Sequence, residues 1–132
     1  MVEVNILGLA FSPRHGNTEI MVKESLRAAG ELPGVECKFY SAAGKRIENC
    51  RGCLECFRSP NPEKPCAIFT DAFDEIVPLI NKSDGIIFGS PAYYMNVTGI
   101  MKAFMDRSIL VEALGYPWRN KVAGFATVSY SR

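Results

Sequence analysis

Strand-like segments recur along this chain with helical stretches between them, and that alternation restricts the fold more than any single motif. Val2–Leu9 and Gly85–Gly89 are short, largely apolar runs, the mark of strands covered on both faces. Val35–Tyr40 and Val122–Val128 are the other two strand segments. Helical patterns fill the intervals at Glu19–Ala29, Asp71–Asn81 and Val97–Met105. Strands that alternate with helices build a parallel, doubly wound α/β sheet. In such sheets ligands bind beyond the carboxyl ends of the strands. The loops to examine are therefore Phe11–Thr18, Ser90–Asn96 and Ser129–Arg132.

Local signals sharpen the helices. Asn17 or Thr18 is expected to cap the first, Glu19 suits its positive N-terminal end, and Gly30 can end it. In the second, Phe73, Ile76, Val77 and Ile80 share a face, and Pro78 predicts a kink or an early end. No repeat or boundary divides the chain, so residues 1–132 read as one domain. Residues 41–66, rich in Gly, Pro and Cys, form an insert within it, and loops of that length tend to be functional.

Charge and hydropathy exclude some classes of partner. A net charge of +1 gives no reason to expect nucleic acid or an anionic membrane. No apolar run approaches the roughly 20 residues needed to span a bilayer. MVEVNILGLAF lacks a basic leader and a cleavage site, so it reads as the first strand rather than a signal peptide. A cytoplasmic, reducing compartment is the expectation, and there clustered cysteines more often bind metal or react than form disulfides.

SPRHGNT joins the first strand to the first helix, where free backbone N–H groups and the helix dipole suit an anion. Ser12, Asn17 and Thr18 add short donors and Arg14 adds charge, so the loop fits a phosphate monoester or simply a polar turn before a capped helix. It contains neither GxxxxGK[ST] nor GxGxxG, which removes support for a nucleoside triphosphate or a Rossmann dinucleotide site. His15, the single histidine, reads as a solvated loop residue. After the third strand, GSPAYYMN offers backbone amides and two tyrosines to a planar ligand, or a proline turn whose aromatics pack on the core. Asp106 and Arg107 follow a helix and read as structural ion pairs or a solvated face.

Four of the five cysteines fall in CRGCLECFRSPNPEKPC, with the spacing Cys50-x2-Cys53-x2-Cys56-x9-Cys66. A C-x2-C-x2-C run with a more distant fourth cysteine is a ligand pattern of [4Fe–4S] clusters. Structural zinc normally takes two separated C-x2-C pairs, so the compact triple favours iron–sulfur over zinc. Redox or structural thiols without metal are the remaining reading. Cys37, alone on the second strand, reads as a small buried hydrophobe.

SPRHGNT, CRGCLEC and GSPAYYMNVTGIMKAFMDR, in this order and spacing, resemble the NADPH-dependent FMN reductase family, and within it the iron–sulfur flavoproteins of anaerobes. The resemblance implies a flavodoxin-like sheet of order 2-1-3-4-5, whose last strand and helix this chain lacks. It implies that Ser12, Arg14, Asn17 and Thr18 hold the FMN phosphate. Pro91, Ala92, Tyr93, Tyr94 and Asn96 would contact the isoalloxazine ring, and Ser129, Tyr130 and Ser131 would begin a third flavin loop. Cys50, Cys53, Cys56 and Cys66 would hold the cluster, with a longer gap before the last cysteine than similar proteins carry. The function implied is an FMN-dependent oxidoreductase. Electrons would pass from a carrier such as ferredoxin through [4Fe–4S] to FMN and then to a small acceptor such as oxygen, peroxide or a quinone. The alternatives are an NAD(P)H-dependent FMN or quinone reductase without a cluster, and a zinc-stabilised binding module without turnover. A homodimer or homotetramer is also implied.

Overall fold

The computed structural model describes residues 2–130. Among these, β1 (Val4–Ala10), β2 (Val35–Ser41), β3 (Gly85–Pro91) and β4 (Val122–Val128) form one parallel sheet in the order β2-β1-β3-β4. Val4 pairs with Val35, Ile6 with Gly85, and Gly85 with Val122. This is the flavodoxin-like, doubly wound order expected of the sequence.

Side chains of β1 alternate between two packed faces, as the pleat requires. Ile6 and Ala10 lie with Val22 and Leu26 of α1 (Asn17–Gly30). Leu7, Leu9 and Phe11 lie on the opposite face with Phe73, Ile76 and Ile80 of α3 (Ala72–Asn81) and Met101 and Phe104 of α4 (Gly99–Arg107). Two glycines let α1 settle onto the sheet. A Cβ on Gly8 would come within 2.6 Å of Val22 Cγ1, and one on Gly89 within 2.4 Å of Val22 Cγ2. Val22 is β-branched and stiff, so neither clash relaxes cheaply. Phe104 centres the other face, with ring centroids 5.0 Å from Phe11, 5.6 Å from Phe73 and 6.2 Å from Trp118.

Several local expectations are corrected. Neither Asn17 nor Thr18 caps α1: Gly16 holds the N-cap position and no side chain caps there. Helix α1 does end at Gly30 as expected, though the C-cap is Glu31 in right-handed rather than left-handed geometry. Helix α3 runs through Pro78 to Asn81 instead of ending early. Its start is fixed by a reciprocal capping box of Asp71 and Asp74, and burial of Phe73, Ile76, Val77 and Ile80 outweighs the lost backbone bond. Helix α4 begins two residues later than predicted because Thr98 is its N-cap.

The insert carries one short helix, α2 (Glu55–Arg58), and α5 (Leu110–Ala113) follows α4. The insert is pinned where it leaves and rejoins the fold. Ala42 N–H donates to the Ala10 carbonyl (2.9 Å), Ala72 N–H to the Arg46 carbonyl (3.1 Å), and Glu48 N–H to Asp71 Oδ2 (2.8 Å). Cys37 lies half-buried on β2 and its thiol donates to the Leu26 carbonyl at 3.3 Å, as a small core residue should. Among the described residues no helix is long and apolar enough to cross a membrane.

Candidate functional site

The first strand–helix loop meets the loop after β3 at the carboxyl edge of the sheet. Phe11 N–H donates to the Gly89 carbonyl at 2.7 Å. Thr98 is buried between the loops: its Oγ1 donates to the Phe11 carbonyl (2.7 Å) and its N–H donates to Ser90 Oγ (3.1 Å). Ser12 is buried too, and its Oγ accepts from Arg14 N–H at 3.3 Å.

Ser12, Arg14, Asn17 and Thr18 line one cavity of about 50 Å³, with Gly16, Pro91, Tyr93 and Val128 completing its wall. The size suits a phosphate-like group rather than a whole flavin. With Gly16 at the N-cap, no cap side chain accepts from the first N–H groups of α1, which leaves them to an anion at the helix's positive end.

Beyond β3, Ala92 N–H donates to the Val128 carbonyl (2.8 Å), tying the loop after β3 to the end of β4. Tyr93 and Asn96 then pair as an antiparallel bridge, at 2.8 and 3.2 Å. Asn96 Oδ1 accepts from Val97 N–H at 2.8 Å. The bridge closes a two-residue turn in which Tyr94 and Met95 both hold positive φ, 41° and 65°. This is the twist a tight hairpin demands, adopted here without glycine. Tyr94 is 98% exposed at the tip and, with Ala92 and Asn96, does not line the phosphate-sized cavity. Ser129 and Tyr130 follow β4, Tyr130 being largely exposed, and Ser131 lies outside the described residues.

Glu19 braces the first loop from inside. It is buried in the first turn of α1, where His15 Nδ1 lies 2.7 Å from Oε1, Ser41 Oγ donates to Oε1, and Lys23 Nζ lies 3.8 Å from Oε2. Burial pushes the carboxyl up, but Ser41, His15 and Lys23 together outweigh it and hold the group below its ordinary value. The sequence pointed to Glu19 only as a dipole partner and missed Thr98 and Ser90.

A second, larger cavity of about 290 Å³ lies between the insert and the α4–α5 segment, and all four clustered cysteines line it. Every one is a free thiol; Cys50 and Cys53 are exposed, Cys56 and Cys66 half-buried. Gly52 and Leu54 turn the backbone with positive φ of 66° and 60°, and Gly52 N–H donates to Cys50 Sγ at 3.4 Å. Among the described residues no three His, Cys, Asp or Glu side chains form a group that could hold a metal ion, so the thiols share a cavity without converging as ligands of a single ion.

Arg107 forms part of the same wall. It is 2% exposed, and its Nη1 donates to both carboxylate oxygens of Asp71, at 2.8 and 2.7 Å. Asp106 pairs instead with Lys102, so both residues serve in structural ion pairs. Burial pushes the Cys66 thiol up, but the N–H groups of Phe69 and Ile68 and the Arg107 guanidinium outweigh it and lower its pKa. Cys56 shifts upward, through burial and then the neighbouring Cys53, Cys66 and Cys50.

Residues 4–132 match the family described as NADPH-dependent FMN reductase. An iron–sulfur flavoprotein of Methanocaldococcus jannaschii is 40% identical over 130 residues, covering 98% of this chain and 64% of that protein. One of Methanosarcina thermophila is 30% identical over 130 residues, covering 98% of this chain and 65% of its own length. The chain thus spans a little under two thirds of these relatives. Among solved structures, a flavone reductase superposes with a TM-score of 0.70 at 23% identity, over 97% of this chain and 44% of that one. An NADH:FMN oxidoreductase superposes at 0.54 and 17% identity, over 96% and 75%.

Proposed function

Since the chain belongs to the NADPH-dependent FMN reductase family, we propose that it binds FMN and acts as a flavin-dependent oxidoreductase of the iron–sulfur type. The observation that carries the reading is the meeting of Ser12, Arg14, Asn17 and Thr18 with Pro91 and Tyr93 around one cavity at the start of α1. The uncapped N–H groups of α1, with Ser12, Asn17 and Thr18, would bind the FMN phosphate, and Arg14 would neutralise its charge. Pro91, Ala92, Tyr93, Tyr94 and Asn96 would flank the ring, with Ser129, Tyr130 and Ser131 on the β4 side. FMN, when bound, supplies the redox chemistry, exchanging electrons singly or in pairs. The chain's own part is to bind it, orient it and leave one side open to donor and acceptor.

Cys50, Cys53, Cys56 and Cys66 would hold a [4Fe–4S] cluster, which when bound supplies one-electron storage and delivery. A cubane takes one thiolate on each of four irons, so its ligands spread around a cavity. Tetrahedral zinc needs its sulfurs about 2.3 Å from a single point. The C-x2-C-x2-C-x9-C spacing, with all four free thiols lining one cavity, supports the first arrangement. A carrier such as ferredoxin would be the donor, and oxygen, peroxide or a quinone the acceptor. A homodimer or homotetramer in the cytoplasm completes the proposal, and light scattering giving a monomer would contradict that part.

The deciding experiment is an ultraviolet–visible spectrum of anaerobically purified protein before and after dithionite, with iron and sulfide assays. Flavin bands on a broad absorption, with iron and sulfide in equal amounts, support the iron–sulfur form. Flavin without iron leaves the second reading, direct reduction by NAD(P)H, to which the family description gives weight. Rapid bleaching by NADPH but not by reduced ferredoxin would then identify it. A colourless protein would defeat both.

A further inference from the structure

The Arg107 guanidinium is committed on one side only. Nη1 binds both oxygens of Asp71, while Nε and Nη2 are buried without a hydrogen-bond partner. Asp71 has nothing further to offer them. Its oxygens already accept from Phe73 N–H (3.0 Å) at the cap of α3 and from Glu48 N–H (2.8 Å). The faces of the guanidinium are covered by Phe73 and Phe69, with ring centroids 4.4 and 5.2 Å from Cζ. The cation is thus fixed in plane and direction by an ion pair and two rings. Arg107 belongs to the wall that Cys66 and the other three cysteines share, and its guanidinium acts directly on the Cys66 thiol. Buried N–H groups of a charged side chain rarely stay unpaired in a native fold.

We propose that Arg107 is a positioning residue for the group held by the four cysteines, donating Nε–H and Nη2–H to its sulfur atoms and setting its reduction potential. The inference rests on the iron–sulfur reading above. Four thiolates leave such a group net negative. Taking one electron from a carrier of the ferredoxin class makes it one unit more negative, with no bond formed or broken. A fixed, buried cation against the sulfurs favours the reduced form and raises the potential, as hydrogen bonds to cluster sulfurs do. Asp71 orients the fork, and the covering rings keep water from screening it.

The test is redox potentiometry of the reconstituted cluster, followed by its electron paramagnetic resonance signal, with iron and sulfide assayed on every sample. Arg107→Gln is expected to keep its iron and to lower the potential by at least a tenfold change in the reduction equilibrium, about 59 mV for one electron. Arg107→Lys keeps the charge and the pair with Asp71 and is expected to recover more than half of that fall. If Arg107→Gln leaves Asp71 unpaired and fails to fold, the double variant Asp71→Asn, Arg107→Gln is compared with Asp71→Asn, Arg107→Lys, so that Asp71 is neutral in both and the same fall in potential reports the cation alone. An iron-loaded Gln variant with an unchanged potential overturns the role of Arg107 and leaves the cluster reading standing. A wild-type chain that takes up neither iron nor sulfide overturns both.

Discussion

Thr98 Oγ1 donates to the carbonyl of Phe11 at 2.7 Å, joining the cap of α4 to the start of the phosphate-sized cavity. The same oxygen accepts from Met101 N–H at 3.3 Å, so one hydroxyl serves a helix end and the loop after β1. Replacing it by Val removes both bonds and leaves the buried Phe11 carbonyl one acceptor interaction short. Thr98→Val is expected to destabilise the chain by about 1–3 kcal/mol, whereas Thr98→Ser should lose well under half of that. Urea unfolding of the three proteins measures it, and a Val variant as stable as wild type would contradict the role.

Arg14 should act on the phosphate alone. Arg14→Ala is expected to weaken FMN binding by about tenfold, the size of a lost charge-assisted hydrogen bond. Riboflavin, which lacks the phosphate, should bind both proteins equally. Flavin fluorescence titration compares them, and an equal loss for both ligands would move Arg14 away from the phosphate.

Glu19 gives the stability a pH dependence of defined sign. Its carboxyl is held below the ordinary value of 4.5 despite burial, because Ser41, His15 and Lys23 favour the charged form. A depressed carboxylate contributes stability that is full above the unfolded-state value and is lost as pH falls through the folded-state value. Denaturation midpoints should therefore drop more steeply in wild type than in Glu19→Gln as pH falls below about 4.5. Parallel curves for the two proteins would show that Glu19 is not the group responsible.

Phe104 touches the rings of Phe11, Phe73, Phe88 and Trp118, with centroids 5.0 to 6.3 Å away. Phe104→Ala opens a cavity shared by β1, β3, α3 and the segment before β4. A loss of about 3–5 kcal/mol is expected, with little change for Phe104→Leu by comparison. Thermal unfolding by circular dichroism separates the two.

The sheet was legible in the sequence because its signals are local. Apolar runs such as Gly85–Gly89 need burial on both faces, and a doubly wound arrangement supplies that to strands separated by helices. The grouping of Ser12, Arg14, Asn17 and Thr18 around one cavity was legible for the same reason, since SPRHGNT carries them within seven residues. What escaped notice depends on long-range partners. Thr98 falls inside the predicted helix Val97–Met105, and its acceptor on Phe11 lies 87 positions away. Arg107 reads as a member of a structural ion pair or a solvated face, but its partner Asp71, 36 positions earlier, could not be named from the sequence. The cap of α1 was misread because Gly16, which has no side chain to offer, takes the N-cap position one residue before Asn17.

The hairpin closed by Tyr93 and Asn96 divides the site into an anchored base and a free tip. Its base is tied to β4 through Ala92, while Tyr94 and Met95 stand almost wholly in solvent. Side chains at the tip can therefore be exchanged without disturbing the loops beneath, so long as the replacements tolerate positive φ. Mutation and selection are free to rewrite what approaches this edge of the sheet while the scaffold below is inherited unchanged.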